Sequence, residues 1–165
     1  SGLLLDGRAQ LNYRWELTRR AGAPVELLPR AGIQLARSSV GDHEGDIILG
    51  STALAALFGV GLRVPYDAQL EFDVGLDVGP VLSFNESPAT TGDGVGGLSV
   101  QSDLAARYWF SETLNAGISG QFSLLRLSFD GDPTRSLAQS EVGTLTDASL
   151  SVTDFGAALT VGARF

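Results

Sequence analysis

Hydrophobic and polar positions alternate with period 2 along most of this chain. From Ala68 to Phe84 the even positions are Ala68, Leu70, Phe72, Val74, Leu76, Val78, Pro80, Leu82 and Phe84, and none is polar. The odd positions of the same stretch carry Glu71, Asp73 and Asp77. One oily face and one charged face at alternate residues is the signature of a strand. The first segment repeats it, with Leu3, Leu5, Leu11, Tyr13, Trp15 and Leu17 against Asp6, Arg8, Arg14 and Glu16. So does the last, where Phe155, Leu159, Val161 and Phe165 alternate with Gly156, Thr160 and Arg164. The pattern from Leu114 slips phase near Leu125, which predicts a bulge there. The chain is therefore expected to be all-β, with strands at about 3–19, 25–38, 46–64, 67–85, 97–111, 113–129 and 149–165. The connections alternate between short (20–24, 65–66, 111–112) and long (39–45, 85–96, 130–148), and the long ones collect Gly, Pro, Asp and Ser. Nothing marks a helix, a linker or a second domain, so residues 1–165 are read as one domain.

The expected strands are about two to three times the usual length of strands in soluble sheets. About 17 residues at ~3.3 Å each, tilted by ~40°, rise about 43 Å, enough to cross a bilayer. Hydrocarbon offers no hydrogen-bond partner to the backbone, so a sheet placed there must close on itself. The fold class expected is thus a transmembrane antiparallel up-and-down β-barrel. With the short turns at one end, Tyr13, Trp15, Phe58, Tyr66, Phe72, Tyr108, Trp109, Phe110 and Phe165 are expected near that end as an interfacial aromatic girdle. Phe84 and Phe155 would start the second girdle. The same periodicity also suits a soluble barrel or sandwich with the faces inverted, its oily face inside.

Composition narrows the chemistry. There is no Cys, which removes disulfides, thiolate metal sites and cysteine nucleophiles. There is one His, no Lys, and a formal charge of −8, which excludes a basic nucleic-acid-binding face. The uncharged run Ile47–Leu62 is short and Gly-broken for a membrane helix, and reads better as a strand. No signal-peptide pattern is present in these residues.

Two stretches carry a family resemblance. The chain ends Val161-Gly-Ala-Arg-Phe165, and Ala106–Gly117 (ARYWFSETLNAG) reads as strand, tight turn and strand. Both resemble small OmpA-type bacterial outer-membrane barrels. The resemblance implies an outer-membrane location, periplasmic short turns and extracellular long loops. It implies lipid and lipopolysaccharide contact and other envelope proteins as partners. It also implies that Phe165 is part of the signal read by the barrel assembly machinery. It implies no single activity. Single-chain bacterial barrels normally have an even strand number. Seven strands therefore predict an eighth in the full barrel, from an upstream strand or from structure within 130–148 that the pattern does not reveal.

In a barrel of this kind the charged face lines the lumen. It is expected to hold Asp6, Glu16, Glu26, Glu71, Asp73, Asp77 and Asp103 with Arg8, Arg14, Arg30, Arg63, Arg107 and Arg164. Near-balance of the two signs suits a salt-bridged, side-chain-filled interior, since an unpaired buried charge is costly. The expected role is a structural, anchoring or interaction component of the envelope, not an enzyme, with no cofactor and no metal. A small-solute channel is the alternative. A weaker one is a lipid or peptide hydrolase centred on His43, flanked by Asp42 and Glu44 with Ser38 and Ser39 upstream.

Overall fold

The computed structural model describes residues 2–20, 22–40, 50–87, 93–130 and 149–163. The described chain is all strand: β1 (Gly2–Asn12), β2 (Trp15–Arg20), β3 (Ala23–Val40), β4 (Gly50–Pro65), β5 (Leu70–Ser87), β6 (Asp93–Trp109), β7 (Leu114–Asp130) and β8 (Ser149–Ala163). They form one antiparallel sheet in the order β1-β3-β4-β5-β6-β7-β8, with β2 also on β3. The sheet is curled into a half-barrel. Side chains with three strands between them meet across its concave side, as where Arg8 of β1 reaches Gln101 of β6.

The expected first strand is split. It breaks at Tyr13–Arg14, and the register on β3 shifts between Glu16 and Thr18. The bulge expected near Leu125 is not there. β7 pairs β8 in one register from Leu114↔Ala163 to Ser128↔Ser149. The shifts fall between Leu54 and Ala55 in β4 and between Gly94 and Gly96 in β6. The slip in hydrophobic phase has another cause: the interior turns apolar toward the long-loop end. Leu127 and Phe129 are buried there with Ala53 and Ala55. Phe84 packs edge-on against Phe129 at 5.5 Å between ring centres, so it leaves the outer girdle expected for it.

The short turns are built by local chemistry. Gly22 adopts φ 82°, a left-handed conformation that glycine reaches without steric cost. The Asp67 carboxylate accepts hydrogen bonds from the backbone N–H groups of Gln69 (2.7 Å) and Leu70 (2.8 Å). The Ser111 hydroxyl does the same for Leu114 at 3.1 Å. From Gly50 onward the uncharged run belongs to β4.

The two faces of the sheet differ in exposure and in polarity. Leu5, Ile33, Val60, Val74, Leu76, Val78, Leu104, Ile118 and Leu159 stand exposed on the convex side. Asp73, Asp77, Gln34, Ser99, Gln101 and Asn115 are buried on the concave side. Among the described residues the oily face is the convex, exposed one.

Candidate functional site

The concave face gathers charge in layers because the register puts opposite signs side by side. Glu26 on β3 is in register with Arg63 on β4, and Arg63 with Asp73 on β5. Glu71 on β5 is in register with Arg107 on β6. All sit at inward alternate positions, where cross-strand neighbours touch. Nearest the short turns, Arg63 therefore grips Asp73 with two donors, Nε at 2.7 Å and Nη2 at 3.2 Å, and reaches Glu26 at 3.3 Å. Arg107 pairs with Glu71 and donates to Asp73 at 3.3 Å. Arg63 of β4 bridges carboxylates of β3 and β5, and Arg107 of β6 holds two carboxylates of β5, so the cluster ties β3, β4, β5 and β6 together.

The next layer spans the interior. Arg30 of β3 binds Asp103 of β6 through both Nη atoms, at 2.5 and 3.2 Å, and approaches Asp77 of β5 at 3.4 Å. Asp77, whose residue surface is 0% exposed, also pairs with Arg8 of β1 and accepts from Gln10 at 3.4 Å. Above it, Gln34 donates to Asp6 at 3.0 Å and accepts from Ser99 at 2.9 Å. This fork-on-carboxylate geometry is what arginine supplies and lysine does not.

Room for Arg30 comes from missing side chains. A Cβ on Gly75 would collide with Arg30 Nη1 and Asp103 Oδ1, and one on Gly61 with the same guanidinium. Gly75→Ala is therefore expected to destabilise the fold by about 1–3 kcal/mol, the usual range for overpacking. Gly96, with nothing within 4 Å of its Cβ position, is the control. Its alanine variant should stay within about 0.5 kcal/mol in the same urea titration.

Of the lumen residues expected from the sequence, Asp6, Arg8, Glu26, Arg30, Arg63, Glu71, Asp73, Asp77, Asp103 and Arg107 come together in this network. Two do not. Glu16 turns to Arg19 in an exposed pair at 2.9 Å. Arg14 lines the rim of a mouth cavity of about 950 Å³ at the short-turn end. Arg164, Phe165 and His43 lie outside the described residues. Ser38, flanking the His43 stretch, shares a hydrogen bond with Ser51 at 2.7 Å. Gln10 and Gln101 lie on the polar face that the alternation gives but outside the expected charge network, and Gln34, Ser99 and Asp154 join them on the concave side. Continuing the alternation two residues back from Gly156 would have found Asp154.

The structure places the aromatic residues on different parts of the sheet. Tyr66 stacks edge-on with Phe72 (6.4 Å) and Tyr108 with Phe110 (5.2 Å), on the outer side near the short turns. The Tyr108 hydroxyl donates to Gln69 at 2.7 Å. Tyr13 and Trp15 are exposed. Trp109 is on the opposite face from Tyr108 and lines the mouth cavity, because strand neighbours point to opposite sides. Phe58 is exposed but lies midway along β4, in register with Ala31 and Val78, not at its end.

No family model, curated protein or solved structure matches this chain.

Proposed function

We propose that this protein is an integral β-barrel of a bacterial outer membrane, of the small OmpA-like kind. In this reading its ion-paired interior is closed to solutes, and it serves as a structural, anchoring or interaction component of the envelope through its lipid face and long loops. The observation that carries this reading is the inverted partition of the sheet. A convex face of exposed Leu, Val, Ile and Phe is far larger than the apolar patches that soluble monomers leave in water. A concave face of paired charge is what a narrow lumen needs. β3 and β5, at 18 residues each, are long enough to span a bilayer with tilt. An antiparallel barrel needs an even strand count, so the reading includes an eighth strand beside the seven in the sheet path.

The expected outcome on refolding is detergent-dependent solubility, heat-modifiable gel mobility, and co-flotation with phospholipid vesicles. A detergent-free soluble monomer would overturn the reading. The layer of Arg8, Arg30, Asp77 and Asp103 predicts baseline conductance in planar bilayers. Stable single-channel steps would establish the porin-like alternative instead.

A further inference from the structure

The two edges of the sheet are related in a way that specifies what joins them. β1 and β8 run in the same direction, because seven antiparallel strands separate into alternating senses along the path from one to the other. Pairing them directly would make a parallel seam. One strand running opposite to both would extend the antiparallel ladder across the seam. Among the described residues neither β1 nor β8 has a second neighbour, so each carries a row of unpaired backbone N–H and C=O groups.

The seam also has a charge. Asp6 on β1 and Asp154 on β8 line one cavity of about 220 Å³, with Gln34 on one wall and Gln121 on the other. Among the described residues Asp6 receives the Gln34 amide and no cation. Asp154 enters none of the ion pairs found among the described residues. Arg8, Arg30, Arg63 and Arg107 are all committed to Glu26, Glu71, Asp73, Asp77 and Asp103. Arg37 of β3 also lines this cavity, but it stands exposed at the alternate position to Gln34, Ala36 and Ser38, and among the described residues it enters no ion pair with Asp6 or Asp154. The four paired arginines of the interior thus lie outside this cavity, which two carboxylates line.

We propose that the seam is a docking site for one extended basic strand, antiparallel to both β1 and β8. Its outward residues are apolar, continuing the belt of Leu5, Leu11, Leu159 and Val161. Its inward face carries an arginine or lysine between Asp6 and Asp154. Main-chain hydrogen bonds supply affinity and the two carboxylates supply selection, as in other cases of strand addition. The proposal rests on the membrane-barrel reading for the outward chemistry, and on the sheet alone for direction and charge.

The test uses the refolded chain in detergent micelles. Its probes are two labelled peptides of about 11 residues, the length of a membrane strand. Both alternate apolar and polar residues, and they differ only in a central inward Arg or Glu. Fluorescence anisotropy is expected to show the Arg peptide binding at least about tenfold more tightly. Asp154→Asn should shrink that preference, and Asp154→Arg should reverse it. Circular dichroism and heat-modifiable mobility confirm that each variant is folded. Equal affinities for the two peptides, or binding of neither to a folded chain, would overturn the proposal. So would sedimentation showing that a second copy of the chain fills the seam. Vesicle flotation separates the two claims. A chain that floats but ignores the peptides defeats only the seam. A chain that binds the Arg peptide but does not float defeats only the membrane reading.

Discussion

Asp77→Ala is expected to lower the unfolding free energy by about 3–5 kcal/mol, the range for removing one member of a buried ion pair. Asp77 has no exposed surface and stands between Arg8 and Arg30. Removing its carboxylate leaves Arg8, among the described residues, with the Gln101 side-chain carbonyl at 2.8 Å and no carboxylate. Arg30, only 8% exposed at its side chain, keeps Asp103 alone. The loss is in the uncompensated charges left behind, not in the Coulomb energy of the pair itself. Glu16→Ala is the matched control. Glu16 pairs with Arg19 at 2.9 Å, but both side chains are largely solvated, and such pairs contribute about 1 kcal/mol or less. Urea titration of both variants in one detergent, followed by heat-modifiable mobility, reads the difference. Equal small effects would mean that the interior is wet and the pair screened.

Val78→Arg carries the second large effect, and its size depends on what the convex face touches. Val78 lies near the middle of β5, 45% exposed, in register with Phe58 and Val100. If that face meets lipid, an arginine there costs about 2–4 kcal/mol, the value for a cation at the bilayer midplane on a barrel's outer wall. If it meets water, the same change should stay within about 0.5 kcal/mol, as for other surface substitutions. The prediction is the larger loss in the fraction folded in vesicles, with a clearly smaller one in short-chain detergent. The two substitutions probe neighbouring residues on opposite faces of one strand, so a general weakness of β5 cannot produce the pattern.

The strands and their faces were legible because a period of 2 is a local property. Residues Ala68–Phe84 declare both walls of β5 without reference to any other strand. The members of the charge network were legible for the same reason. Their pairing was not. Arg30 and Asp103 are 73 residues apart, and which carboxylate meets which guanidinium depends on register and curl across four strands. Leu125 and Leu127 misled the phase count because an inward residue is charged only in the middle and lower layers. At the long-loop end the interior is closed by Ala53, Ala55, Leu127 and Phe129, and there hydrophobicity no longer distinguishes inside from outside. Trp109 shares the short-turn end with Tyr108 and Phe110, and alternation assigns it the other face. Asp154 continues the inward positions of the last alternating run, and it is the residue on which the charge of the seam turns.

The central claim is that the oily face of the sheet meets lipid and the charged face does not. The chain has no cysteine, so single cysteines can be placed along residues 72–79 of β5 in an otherwise thiol-free protein. Spin labels at these sites in vesicles report collisions with oxygen, which concentrates in lipid, and with a nickel chelate, which stays in water. The account predicts a period of 2, with high oxygen accessibility at 72, 74, 76 and 78 and low accessibility to both reagents at 73, 75, 77 and 79. High nickel accessibility at the even positions would contradict it.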